Sequence, residues 1–432
     1  MRRKSSWLLI PGFVAGLAIP LAAQFGPAER QQQLESFEAV WSAIRDQHWD
    51  PTPGGLDWQA IHKEFRPRME RAETVDQGRV ILQEMLGRLK QTHFAIIPSA
   101  IYQAAGDGGM ALGEGTPGFD VRVLPGNGKA GEDGRVIVVE AMTNSPIKPG
   151  WEVSAAGGVR LQELVSRLRA DRAITELALH RAIQTRLTGP VGTAREFEFV
   201  DGENRHVTFR LALTEPRGNL SGFGNLPPQR IWFESKKIGN TGYIRFNEFL
   251  DLVRMMGQFG NAIQDCAKCD GIVIDLRGNP GGIGAMAMGM AGFLVDKPNL
   301  RLGTMYMRGA TLNFVINPRE GAYSGPVAVL VDELSASTSE IFAGGLKDIG
   351  RARIFGTHTA GAALPSIFTR LPNGDGFQYA IANYISEGGK PLEANGVSPD
   401  MEVRLTREAL LAGRDAVLDA ALEWIHTKRS TR

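Results

Sequence analysis

A chain of 432 residues, 43% hydrophobic and 22% charged, has a globular composition and is too long for one ordinary core, so two or three domains are expected. A formal net charge of +1 gives no field for a polyanion, and nucleic acid is not an expected partner. The 52 glycines imply many turns and strand connections.

Met1, Arg2, Arg3 and Lys4 make a basic start. Trp7 to Ala23 carries no charge and ends on the small residues Ala22 and Ala23. That is the layout of a secretory signal peptide over 1–23, and it places the mature chain in the periplasm or outside the cell. Seventeen residues are short for an anchor, which needs about 20. No later apolar run is long enough to cross a bilayer, so stable membrane insertion is not expected.

Residues 24–110 read as a helical domain. Leu34, Phe37, Val40, Trp41 and Ile44 recur at helical spacing, as do Trp58, Ile61 and Phe65, and then Leu82, Met85, Leu86 and Leu89. Pro51, Pro53, Gly54 and Gly55 separate the first two stretches. Three amphipathic helices over 28–90 follow, with the aromatic residues in their core. Thr92-His93 comes next, just before the apolar Ala95-Ile96-Ile97. By itself a histidine at a helix end is a C-terminal cap. His48, His62, His180, His206 and His426 match no pattern and read as surface or core residues.

Over 111–215 the pattern changes to short strands: Phe119–Val123, Val136–Glu140, Glu196–Val200 and Val207–Leu211, with a largely helical stretch from Leu161 to Leu187. Ser145-Pro146, Lys148-Pro149-Gly150 and Gly157-Gly158-Val159 punctuate them in a way that resembles a PDZ domain. The resemblance implies a site for the extended end of a peptide, added as a strand, with its carboxylate held by backbone N–H groups. Gly115, Gly118 and Phe119 would form that loop, although Pro117 within it has no N–H to give. The alternative is a module that acts only as a spacer.

Residues 216–432 hold the chemistry. Thr241–Phe246 reads as a strand and Phe249–Ile263 as a helix; Gly271–Asp275 is a buried strand running into a glycine turn. Neither phosphate-loop spacing is present in that turn. Cys266-x-x-Cys269, one pair with no second, is weak for zinc and fits a local disulfide in an exported chain. Val327–Val331 is a second buried strand, followed by the polar turn Ser335–Ser339 and a helix over Glu340–Leu346. A serine there sits at the positive end of a helix dipole, beside backbone N–H groups that have no internal acceptor. Ser337-x-x-Glu340 also matches an ordinary capping box. Leu418, Ala421, Leu422 and Ile425 fit one face of a closing helix, and Thr427–Arg432 is a polar tail.

Asp275-Leu276-Arg277-Gly278-Asn279 with Gly281-Gly282, then Ser335-Ala336-Ser337-Thr338-Ser339-Glu340, resembles the C-terminal processing (tail-specific) and tricorn core protease family. Asp57-Trp58, the PDZ-like insertion and Gly396-Val397-Ser398-Pro399-Asp400 come in the family's order, so the resemblance spans nearly all of the mature chain. It implies a multi-domain α/β (α+β) protein: an N-terminal helical bundle, a PDZ-like β domain, and a crotonase/ClpP-like layered α/β/α catalytic domain. It implies Ser337 as nucleophile and the N–H groups of Gly282 and Thr338 as the oxyanion hole, each such donor being worth about 10²–10³ in rate. Tail-specific members carry a lysine in the turn that is Gly361-Ala362-Ala363 here, so Ala362 excludes a Ser–Lys dyad. Tricorn-like members use a histidine preceded by a hydroxyl residue, and a glutamate before Gly-Val-x-Pro-Asp; His93, Thr92 and Glu393 stand at those positions. His358 is the rival base. The expected function is an exported serine endopeptidase that cleaves unfolded proteins or peptides through an acyl-enzyme, with no metal or cofactor. The alternative is a non-catalytic member of the same fold that binds peptides or hydrophobic ligands.

Overall fold

The computed structural model describes residues 26–99, 102, 114–125, 134–143, 145–171 and 174–430. The expected signal peptide over 1–23 and the expected boundary near 110 lie outside the described residues.

The front of the chain forms helices Pro27–Gln47, Trp58–Glu70 and Val75–Gly87. Two of them start where side chains satisfy free N–H groups: Asp57 accepts from Ala60 and Thr74 from Gln77. Phe37, Val40, Trp41, Ile44, Trp58, Phe65, Leu82 and Met85 are buried between them. This core is completed from far away. Leu364, Leu371, Phe377, Tyr379 and Ala380 belong to the same cluster. Strand Ala95–Ile97 pairs antiparallel with Gly376–Ala380, the second arm of a hairpin begun by Ser366–Arg370. Arg79 grips the fully buried Asp375 with two hydrogen bonds, of 3.0 and 2.7 Å, across 296 positions.

The middle of the chain is an antiparallel sheet in the order Phe119–Leu124, Arg135–Ala141, Glu152–Ala156, Ala194–Val200, His206–Ala212. The stretch 161–187 divides into two helices, Leu161–Arg169 and Glu176–Leu187, the second capped by the Thr175 hydroxyl, which accepts the Ala178 N–H. Phe119, Val121, Leu161, Val165, Leu179, Ile183, Phe197 and Phe199 form its core.

The third part is a six-stranded sheet in the order Phe233–Ile238, Thr241–Phe246, Gly271–Asp275, Val327–Val331, Arg353–Gly356, Met401–Glu402. All neighbours run parallel except the first pair. Gly271–Asp275 and Val327–Val331 are buried at every residue because both faces of the sheet are covered. Helices Leu252–Asp265, Gly284–Ala291 and Thr338–Asp348 pack on one face. Ala416–Ser430 covers the other through Val417, Ala421 and Ile425, with Leu418 and Leu422 only partly buried. Cys266 and Cys269 are disulfide-bonded at the end of Leu252–Asp265. That helix begins three residues later than its apolar spacing predicts. Phe249 is taken out of it by two backbone bonds: its N–H donates to Gly281 O and its O accepts from Ile283 N–H, both at 2.7 Å. The loops after Asp275, Val331 and Gly356 leave the carboxyl ends of adjacent parallel strands, where open α/β sheets place their sites.

Candidate active site

Ser337 stands between strand Val327–Val331 and helix Thr338–Asp348, with φ +53° and ψ −118°. A left-handed φ on a non-glycine residue costs about 1–3 kcal/mol and persists only where its surroundings enforce it. Here they do. The Ser337 N–H is shared between Ala362 O at 2.8 Å and Glu340 Oε2 at 2.9 Å. Ser335 Oγ accepts the Asp332 N–H and donates to Leu276 O, tying the turn to the neighbouring strand end. Glu340 has more than a capping role. Fully buried, its carboxylate also accepts from Thr359 Oγ1 at 2.6 Å, Gly361 N–H at 2.8 Å and Ala362 N–H at 3.1 Å. Burial pushes the Glu340 carboxyl up to about 7 against the pull of these donors.

The glycine turn is clamped against the serine turn by the fully buried Asn279. Its Nδ2 donates to Phe246 O, and its Oδ1 accepts from Gly281 N–H at 2.9 Å and Ser339 Oγ at 3.0 Å. Its carbonyl accepts the Ala336 N–H. Gly281 and Gly282 have φ of +103° and +138°. A Cβ on Gly282 would lie 2.3 Å from Phe249 O, so only glycine fits there. Neither the Gly282 N–H nor the Thr338 N–H has an acceptor among the described residues. Thr338 Oγ1 donates to Gly282 O at 2.8 Å and joins the two halves of this donor pair. In the sequence Asn279 stands only within the glycine-turn motif, and Glu340 reads as a cap.

His93 also has a left-handed backbone, at φ +62°. Its Nδ1 lies 2.8 Å from Thr92 Oγ1, whose hydroxyl donates to Glu393 Oε2 at 2.8 Å. Since that hydroxyl has one proton and gives it to Glu393, Thr92 Oγ1 accepts from Nδ1–H and Nε2 keeps a lone pair. Glu393 Oε1 accepts the Thr92 N–H and Oε2 the Ala363 N–H. Burial, helped by the nearby Arg181 cation, lowers the His93 imidazole to about 4. Ser337 and His93 make no direct hydrogen bond; their supports meet on consecutive residues of one loop, Ala362 holding Ser337 and Ala363 holding Glu393. His358 is elsewhere: it is exposed, with Nδ1 3.2 Å from Ser398 Oγ, and lines a cavity of about 460 Å³ with Val123, Leu124 and Glu333 rather than with Ser337.

Gly115, Gly118 and Phe119 belong to the antiparallel module. Gly115 pairs with Gly189, and the neighbouring Thr116 N–H is already given to Thr214 O. Gly118 has φ +79°, and the Phe119 ring is buried against Phe197 and Phe199. The next turn of that strand reaches the serine region. Arg122 Nε donates to Asp332 Oδ2 at 2.8 Å, and Asp332 Oδ1 accepts from Gly278 N–H and Leu334 N–H. Both side chains are buried. Burial alone would raise the Asp332 carboxyl, but the Arg122 guanidinium holds it below the usual carboxylate range. Arg277 bridges Asp275 and Asp415 just before the glycine turn.

Residues 240–403 match peptidase family S41, and residues 28–87 match the tricorn protease C1 domain. Carboxyl-terminal-processing peptidase 3, chloroplastic, of Arabidopsis thaliana is 24% identical over 401 residues, covering 87% of this chain and 70% of that protein. Tricorn protease homolog 1 of Streptomyces coelicolor is 27% identical over 417 residues, covering 92% of this chain and 35% of that longer protein. Among solved structures, the photosystem II D1 C-terminal processing protease has a TM-score of 0.59 at 21% identity, covering 91% of this chain and 96% of the other.

Proposed function

From a chain that carries a peptidase family S41 domain and is a serine-type peptidase, we propose an exported endopeptidase that cleaves unfolded proteins or peptides through an acyl-enzyme on Ser337. His93 Nε2 takes the Ser337 proton as Oγ attacks the scissile carbonyl. The developing oxyanion is received by the Gly282 and Thr338 N–H groups. The imidazolium then gives its proton to the leaving amine, and water, deprotonated by the same nitrogen, releases the acyl group. Thr92 and Glu393 fix the tautomer and stabilise the imidazolium through Nδ1–H. The observation that carries this reading is the His93–Thr92–Glu393 chain arriving at the loop that holds Ser337. Substrate binding draws Nε2 and Oγ into hydrogen-bond contact, as is common for catalytic pairs that stand apart without substrate.

In this reading residues 24–110 supply the base, 216–432 the nucleophile and oxyanion hole, and 111–215 act as a PDZ-like module. The edge strand Phe119–Leu124 has no strand partner on its outer side among the described residues. A substrate C-terminus adds there, with its carboxylate toward Gly115, Gly118 and Phe119. Cleavage of the leader after Ala23 leaves the mature enzyme in the periplasm or outside the cell. Among the described residues no helix is long and apolar enough to cross a membrane.

The test uses the mature protein with casein and with a fluorophosphonate probe. Wild type is expected to cleave and to label at Ser337; Ser337→Ala loses both and His93→Ala loses labelling. Equal casein cleavage by wild type and Ser337→Ala overturns the assignment.

A further inference from the structure

We propose that His48, which no motif singles out, is a positioning residue that sets the His93 imidazole for proton transfer. The inference rests on the reading of His93 as the base. His48 is the C-cap residue of helix Pro27–Gln47 and is fully buried. Its Nε2 lies 2.9 Å from Gln91 Oε1, and its Nδ1 lies 3.1 Å from both the backbone N and the carbonyl O of Asp50. With the Gln91 oxygen as acceptor, Nε2 carries the ring proton and Nδ1 accepts from Asp50. The opposite feature of the ring is its face, which stacks on Phe94 at 5.8 Å and 18°. His48 therefore holds both flanks of Thr92-His93, one by a hydrogen bond and the other by ring contact. It is itself fixed from outside: Arg308 Nε donates to its carbonyl at 3.0 Å.

The segment it holds needs holding. Lys90 and His93 both have left-handed backbones, at φ +53° and +62°. Both are sparsely populated conformations for residues that carry a Cβ, so the turn relaxes unless neighbours enforce it. Glu393 restrains Thr92 through two hydrogen bonds. For Gln91 the side-chain hydrogen bond to His48 is the only one among the described residues. A rotation at Gln91 carries Thr92 Oγ1 with it, and Thr92 Oγ1 is the atom that orients His93 Nδ1. Only a ring with a donor on its edge does both jobs. Phenylalanine keeps the stack but leaves Gln91 without its donor; asparagine or glutamine keeps a donor but loses the stack.

The experiment measures kcat, KM and thermal midpoint for His48→Phe, Gln91→Leu, the double variant and His93→Ala in the full mature chain. A misplacement near 1 Å costs on the order of 10²-fold in rate, so His48→Phe and Gln91→Leu are each expected to lose 10-fold or more in kcat with KM nearly unchanged. The double variant removes both ends of the His48–Gln91 hydrogen bond and so recovers the part of the stability lost by stranding one of them, while the Asp50 N–H stays without its acceptor. Its kcat is expected to stay as low as in the single variants, because the hold on the turn is still missing. Wild-type kcat in the double variant, or in both single variants below their melting points, overturns the positioning role. If His48→Phe does not fold, Gln91→Leu decides alone. Full activity in His93→Ala would instead defeat the reading of the base, an outcome distinct from the others.

Discussion

The depressed His93 imidazole makes a prediction about pH. In the proposed reading His93 is the base, which works only while unprotonated, and burial with Arg181 holds its imidazole near 4 rather than near the usual 6.5. In the pH profile of kcat/KM for a peptide substrate, the limb assigned to His93 should therefore fall close to pH 4; a limb at 6.5 that moves with Thr92 substitution would count against it. The same shift bears on stability. The unfolded chain takes up this proton first, so His93 costs stability progressively as pH falls from about 6.5 to about 4 and adds no further cost below. Thr92 tests the relay at single-atom resolution. Thr92→Val keeps the shape but parts Nδ1–H from Glu393, and is expected to lose on the order of 10²-fold in kcat. Thr92→Ser keeps the hydroxyl and should lose little; steady-state kinetics of the two variants separates orientation from bulk.

At the scale of elements, the serine side of the candidate site is three loops leaving adjacent parallel strands, stitched by groups with no exposure. Asn279→Ala strands the Phe246 carbonyl and the Gly281 N–H, each at about 1–3 kcal/mol, while the Ser339 hydroxyl keeps its bond to the backbone carbonyl of residue 279. The expected result is a markedly lower thermal midpoint together with a kcat loss of about 10²-fold, because the Gly282 N–H loses its aim. A variant with normal kcat at a temperature where it is folded would show that the glycine turn holds itself. The Arg122–Asp332 pair does the corresponding work between the antiparallel module and the serine turn. Arg122→Met leaves Asp332 buried without its cation, which costs about 3–5 kcal/mol; thermal unfolding followed by tryptophan fluorescence measures it.

Across the whole molecule, the front and the back of the chain are one folding unit. The helices over 27–87 do not close a core by themselves, since Leu364, Leu371, Phe377 and Tyr379 fill it. Arg79→Met leaves the fully buried Asp375 without its guanidinium, again about 3–5 kcal/mol. Hydrogen exchange should then speed up together in 27–87 and in 366–380, and fluorophosphonate labelling of Ser337 should slow as His93 is carried away. Faster exchange confined to the helices would show that they unfold independently of the hairpin.

Local chemistry made much of this architecture legible. The apolar runs Gly271–Ile274 and Val327–Val331, the glycine turn and the helix start after Ser337 follow from short-range patterns of burial, backbone freedom and capping. So do the three amphipathic helices at the front. Only a family resemblance points to His93, because the contact that joins Thr92 to Glu393 spans 301 positions and no local periodicity encodes it. The second role of Glu340, the hub at Asn279 and the hold of His48 on Gln91 belong to the same class. Each is a buried polar group whose partners come from other strands or helices, and only chain closure brings its donors and acceptors within hydrogen-bonding distance.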